Sequence, residues 1–206
     1  MMKQLQRYLD KKIYTIGFVD IETLGDNFKA ETGSIVTWVL EKYDIKTGKS
    51  TTFYNYLNKN DFKYHNKKDS LNYDEFILES LVEKMKECDM IVTHYGTWFD
   101  IPFIRTRNQI MNFNFIKHED KIRFADTWRT AKLSGSYKRN SLENACKAQG
   151  FKMKKTIVDY NVWKLVYYGK RKYINYILHH NFIDVKLTKK LWLKTEMSMP
   201  IPSRYY

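Results

Sequence analysis

Four carboxylates occupy settings where a carboxylate is costly. Asp20 and Glu22 close an apolar strand in the string FVDIET. Strand side chains alternate, so residues two apart face the same side and the two acids project together and repel. A divalent cation is the physical reason to tolerate that pair, because hard metal ions take carboxylate oxygens and favour the ionised form. Asp100 lies in THYGTWFDIPFI, between Trp98 and Phe99 on one side and Ile101 and Phe103 on the other. Asp184 interrupts the apolar helical stripe Phe182, Ile183, Leu187 and Leu191 in HHNFIDVKLTKKLW. Singly, each has a plain reading: a strand end in solvent, a helix N-terminal acid favoured by the macrodipole, a hydrogen-bonded structural Asp. Together they are four acids whose order, spacing and settings form a combination that none of the single readings explains.

The elements that must bring these acids together follow from apolar periodicity. Ile13–Asp20 reads as a strand followed by a turn around Gly25-Asp26-Asn27, and Ser34–Ile45 as a second strand ending at Thr47-Gly48. Thr51–Tyr56 alternates as its hairpin partner, so three strands are expected to open the chain. From Asp69, residues Leu71, Phe76, Ile77, Leu81, Val82 and Met85 recur at helical spacing, with Asn72 and Glu75 as a capping box. Met90–Tyr95 is the short apolar strand of an α/β interior, and a helical pattern through Ile104 follows it. Lys121–Trp128 is a further strand, leading into a loop with Lys138 and Arg139. A helix is expected near Ser141–Gln149, and a long helical tract from about Asn161 to Lys194 broken at Gly169. The fold class is therefore α/β, a mixed sheet covered by helices.

Composition bounds the function classes. With 206 residues, 43% hydrophobic and 16% aromatic, the chain is expected to form one domain, residues 1–206, with an ample core, and disorder is excluded. Lys and Arg outnumber Asp and Glu by 36 to 23, a net charge of +13 that attracts polyanions. Cys88 and Cys146 lack any disulfide or zinc-ligand spacing, which fits a reducing compartment. No cleavage site follows the N-terminal apolar run and no stretch approaches the length of a membrane span, so a cytoplasmic, unprocessed protein with no membrane partner is expected. The wealth of Lys, Asn, Ile and Tyr points to an AT-rich genome, such as that of a bacterium or its phage.

At these residues the chain resembles the DEDD superfamily of 3′–5′ exonucleases, which have the ribonuclease H-like fold with a mixed five-stranded sheet and include the proofreading domains of DNA polymerases. FVDIET, FDIPFI and IDVKLTKKLW carry the resemblance, and ADTWRTAK, SLENACKAQGF and the helix pair from Trp163 to Asp184 look most like the exonuclease domain of family-B polymerases and its stand-alone relatives in bacteria and phages. The resemblance implies two divalent cations, Mg²⁺ or Mn²⁺, about 4 Å apart and held by Asp20, Glu22, Asp100 and Asp184. It also implies in-line hydrolysis at a free 3′ end with release of nucleoside 5′-monophosphates, on single-stranded DNA in preference to RNA.

The family serves the attacking water with either a Tyr four residues before the last Asp or a His five residues before it. His180 stands at the first position and His179 at the second. The His-x-x-x-x-Asp spacing favours His179, whereas His180 lies on the helical face of Asp184. Thr23 and Leu24 are expected against the terminal nucleotide, Tyr95 and Trp98 as stacking platforms, and Lys155, within the basic stretch Lys152, Lys154 and Lys155, on phosphate. Asp126 in ADTWRT reads as structural, and His94 and His118 receive no role. Two rivals share the fold: an exoribonuclease, separated only by contacts to the 2′-hydroxyl, and an inactive nucleic-acid-binding module, disfavoured because all four acids are present.

Overall fold

A computed structural model describes residues 2–25, 29–58, 73–112, 121–134, 139–152 and 156–195, without the side chains of 2–5 and 133–134. Its elements in chain order are α1 (Met2–Asp10), β1 (Thr15–Leu24), β2 (Ser34–Asp44), β3 (Ser50–Tyr56), α2 (Glu75–Lys86), β4 (Met90–Thr93), α3 (Asp100–Ile110), β5 (Arg123–Asp126), α4 (Thr127–Ser134), α5 (Leu142–Ala148), α6 (Tyr160–Tyr167) and α7 (Arg171–Thr195).

The five strands form one sheet in the order β3-β2-β1-β4-β5. β1 lies between β2, antiparallel, and β4, parallel, and β5 continues the parallel half. The central place of β1 follows from its sequence: Ile16, Phe18, Val19 and Ile21 are buried, so both faces of the strand must be covered. Past Val19 burial alternates, with Ile21 and Thr23 enclosed and Asp20, Glu22 and Leu24 half-buried, so the two acids share a face as the strand period requires. Gly25 then ends the strand at φ 145°, and a Cβ there would stand 2.4 Å from Gly33 Cα. Only glycine lets the chain turn that closely against its neighbour.

Each face of the sheet carries a core. On one, Trp38, Ile35 and Leu40 meet Leu78, Leu81, Met85, Phe103 and Ile177, and Trp38 Nε1 donates to Ile77 O at 2.9 Å. On the other, Trp192 packs edge-on against Tyr8 and Phe18 with centroids 5.3 and 5.5 Å away. The long α7 therefore spans both cores and fixes Asp184 over β1. Beneath the first core, Asp74 is fully buried; it accepts from Ile35 N at 2.8 Å and from Arg107 Nη2, a buried ion pair that ties β2, α2 and α3 together. Burial pushes the Asp74 carboxyl up, against the pull of Arg107 and of the Ile35 N–H.

Several expectations need correction. A helix, α1, precedes the three opening strands; its Tyr8 is buried against Trp192. A capping box at Asn72 is replaced by an N-cap at Asp74, whose side chain faces inward to Arg107 instead of capping; Asn72 and Leu71 lie outside the described residues. Phe76 is 72% exposed, because the buried stripe of α2 runs through Ile77, Leu78, Leu81, Val82 and Met85. The strand expected to reach Trp128 stops at Asp126, where Trp128 N bonds back to the Asp126 carboxylate and opens α4. Asp26 and Asn27 of the first turn also lie outside the described residues. Among the described residues no helix is long and apolar enough to cross a membrane.

Candidate active site

Glu22, Asp100 and Asp184 each reach toward β1 or its His180 contact, and Asp20 shares the β1 face of Glu22. Asp100, the first residue of α3, reaches back to the strand and accepts from Ile21 N at 3.0 Å, the amide between Asp20 and Glu22. Burial pushes its carboxyl up to about 7, with the nearby charge of Asp126 adding to the rise and the Ile21 N–H opposing it. From the facing helix, His180 Nε2 stands 3.9 Å from Glu22 Oε1 and 3.6 Å from Asp184 Oδ2. A β1 acid and an α7 acid thus meet on one imidazole. The ring is held from behind, since His180 Nδ1 shares a hydrogen bond of 2.6 Å with Thr156 Oγ1.

His179 is exposed on the outer side of α7 and joins none of these contacts. The reason is helical geometry: positions four apart stack on one face, whereas five apart are rotated well away. The residue favoured by spacing is thus turned outward, and the alternative faces the acids.

The donor set suits a hard cation: carboxylate oxygens, one acid raised by burial and therefore poised to gain from a positive neighbour. Among the described residues, no three His, Cys, Asp or Glu side chains stand close enough to cage an ion by themselves. Mg²⁺ needs no such cage, because it keeps several waters and binds through one or two carboxylates plus substrate phosphate. The residues present fit that mode of binding.

Asp126 proves to be the brace of the site. It is 4% exposed and accepts from Tyr95 N at 2.8 Å, Thr97 N at 3.0 Å, Thr97 Oγ1 at 2.6 Å and Trp128 N at 2.9 Å. The first three bonds hold the turn that delivers Asp100, including Tyr95 in the left-handed region at φ 69°, a costly conformation for a side chain of that size. Asp126→Ala is expected to cost about 3 kcal/mol, since hydrogen bonds to a charged group contribute about 1.5–3 kcal/mol each and are not additive. A thermal melt should therefore fall by roughly 6–12 °C, at about 2–4 °C per kcal/mol for a chain of this size. Asp126→Asn, which keeps one acceptor oxygen, should lose clearly less, and equal losses would assign the whole effect to the charge and the second oxygen.

Of the other expected residues, Leu24 lines a cavity of about 490 Å³ with Tyr160, Trp163, Lys164 and Tyr167. Thr23 is buried beside it in the strand. Tyr95 is 47% exposed and meets Trp128 edge-on, with centroids 5.1 Å apart. Trp98 is 67% exposed. Lys155, with Lys138 and Lys154, lies outside the described residues, as does His118; Arg139 and Lys152 are exposed. His94 is held at both nitrogens, by Thr127 Oγ1 at 2.8 Å and Asn140 O at 3.0 Å, which is a structural role. The Thr156 contact carries no motif in the sequence and emerges only from the fold.

A family model described as the RNase_H superfamily matches residues 17–195, the whole span from the first acid to the end of α7. The chain belongs to the RNase_H superfamily. Its fold is similar to that of a solved structure of the family B DNA polymerase from the hyperthermophilic archaeon Pyrobaculum calidifontis, with a TM-score of 0.63, 14% identity and 88% of this chain covered. The chain spans about a quarter of that polymerase, 24% of its length. No curated protein matches the sequence. The five-stranded mixed sheet flanked by helices is the RNase H-like arrangement, and membership of the superfamily supports nuclease activity of the kind that generally uses divalent metal ions.

Proposed function

We propose that this RNase_H superfamily chain is a metal-dependent 3′–5′ exonuclease that removes nucleoside 5′-monophosphates from single-stranded nucleic acid, DNA in preference to RNA. The observation that carries the reading is the meeting of Glu22 and Asp184 on His180, beside an Asp100 that is hydrogen-bonded to the Ile21 amide. Asp20, Glu22, Asp100 and Asp184 would hold the cations. When bound, divalent ions lower the pKa of water and draw charge from the scissile phosphate.

The side chains supply the rest. His180 is placed to take a proton at Nε2: in the tautomer whose Nδ1–H donates to Thr156 Oγ1, Nε2 is the nitrogen that would accept it from the attacking water at the acids. The cavity at Leu24 offers aromatic walls and Lys164 to the terminal nucleotide. The net charge of +13 draws the strand in, with an affinity that falls steeply with salt.

His180→Ala should lower the hydrolytic rate by about a hundredfold or more, the usual contribution of a positioned acid–base group. His179→Ala should lie within a few-fold of the parent. A larger loss for His179 in a rate assay at saturating strand would reverse the assignment. The reading as a whole is tested with purified protein, 5′-labelled single-stranded DNA and a matched RNA, in Mg²⁺, Mn²⁺ or chelator. A metal-dependent ladder shortening from the 3′ end of the DNA is the expected result. Faster loss of the RNA would move the substrate to RNA, and tight binding without cleavage of either would overturn the activity.

A further inference from the structure

His180 turns Nε2 toward Glu22 and Asp184 at distances of 3.9 and 3.6 Å, whereas its Nδ1 stands 2.6 Å from Thr156 Oγ1. The first two distances exceed the roughly 2.7–3.2 Å of a hydrogen bond. An imidazole can turn over about its Cβ–Cγ bond and exchange its two edges, because that torsion has two broad wells. A bond at one ring nitrogen therefore decides what the other nitrogen faces. With 12% of its side chain exposed, His180 leaves little room for water to supply that bond.

The segment that presents Thr156, residues 156–159, is anchored at each of the next three positions. Ile157 O accepts from Tyr176 OH at 2.9 Å, and Tyr176 stands four residues before His180. The same face of α7 thus holds the segment at two successive turns. The Ile157 side chain is 82% exposed, while Val158 packs against the first core. Asp159 then caps α6, its side chain accepting from Val162 N at 3.0 Å. These anchors fix the segment without Thr156, whose hydroxyl is left for the imidazole. Its β-branch restricts χ1 and so keeps Oγ1 in place.

We propose that Thr156 is a positioning residue for hydrolysis: through Nδ1 it keeps the His180 ring in one orientation, with Nε2 at Glu22 and Asp184. The proposal rests on the exonuclease reading for the reaction that the ring serves; the orientation itself does not. A threonine that only filled space would act through its methyl group and β-carbon, and valine keeps both. The hydroxyl is what the proposal needs, and serine keeps that.

The test compares Thr156→Val with Thr156→Ser in the full chain. Without metal, at about pH 8 where an ordinary imidazole is neutral, the ring nitrogens are read by NMR in protein carrying ¹⁵N-labelled histidine. The His180 signals are assigned by their loss in His180→Ala. A ring with one fixed partner has one protonated and one bare nitrogen, so the parent and Thr156→Ser should each give two well-separated signals. In Thr156→Val the two should draw together as the tautomers exchange. In Mg²⁺, Thr156→Val should lower kcat by about tenfold or more, a part of the hundredfold or more of a positioned acid–base group. KM should stay within a few-fold, since a lost substrate contact would appear there, and Thr156→Ser should remain close to the parent. Should Thr156→Val fail to fold, Tyr176→Phe, which frees only Ile157 O, reads the same signals. Signals as well separated in both Thr156→Val and Tyr176→Phe as in the parent overturn the proposal. So does a Thr156→Ser as slow as Thr156→Val, or a change confined to KM. A parent that cuts no strand would sink the exonuclease reading, while the nitrogen signals would still decide the orientation.

Discussion

Asp184→Asn is expected to lower hydrolysis of a single strand by about a thousandfold or more, while the melting temperature stays within a few degrees. The size follows from what a divalent ion contributes on a phosphate, several kcal/mol of charge stabilisation, at a factor of ten for about every 1.4 kcal/mol. The small stability change follows from the setting: Asp184 is half-buried and faces Glu22 across His180, so removing its charge relieves repulsion between the acids while weakening its attraction to the imidazole. Asp20→Asn should behave in the same way, because alternation along β1 puts Asp20 on the face of Glu22. Loss of negative charge at the site should also tighten binding of the uncut strand. The measurement is single-turnover cleavage of a 5′-labelled strand at saturating Mg²⁺, paired with a melt and with Mn²⁺ binding followed by electron paramagnetic resonance. Full activity in either variant would remove that residue from the donor set; abolished activity with unchanged Mn²⁺ binding would assign it a role other than holding the ion.

The acids were legible because their chemistry conflicts with their surroundings. A carboxylate pair at the end of IYTIGFVD, and single acids inside apolar stripes, violate the burial pattern that the rest of the strand or helix obeys. The strands were equally legible, since β1, β2 and β4 are apolar runs and β3 is a plain hairpin partner closed by Thr47, whose amide bonds Asp44 Oδ1 at 2.8 Å. What stayed hidden depends on contacts distant in sequence. α4, TWRTAKLS, has too few apolar positions to announce a helix; it starts because Asp126 receives the Trp128 amide, and that acid is fixed by a turn about thirty residues earlier. His179 and His180 show the same limit at the scale of one residue: spacing proposes both, and only the rotation of α7 over β1 decides which one meets the acids.

The second large effect is on stability and comes from a pair that no motif marks. Arg107 and Asp74 are both fully enclosed, and the ion pair between them is supplemented by Ile35 N at 2.8 Å to Asp74 and by Arg107 Nη1 to Ala30 O at 3.4 Å. Arg107→Leu keeps much of the volume but leaves the Asp74 carboxylate without its counter-charge, and breaking a buried pair in this way costs about 3–5 kcal/mol. Asp74 would respond by taking up a proton, because the group that pulls its carboxyl down is gone while burial still pushes it up. A raised folded-state value means that the protonated form is the one the fold prefers, so the penalty should be smallest below the ordinary carboxylate range and grow as the pH rises through it. Urea unfolding of Arg107→Leu between pH 4 and pH 8 should therefore show stability falling with pH more steeply than in the parent. Arg107→Leu/Asp74→Asn removes the stranded charge and should recover a good part of the loss. A single variant as stable as the parent at neutral pH, or a double variant no better than the single, would mean that the pair contributes by shape alone. The same pair joins the start of α2 to α3, the helix that begins at Asp100, so its loss should also loosen the acid that reaches back to β1.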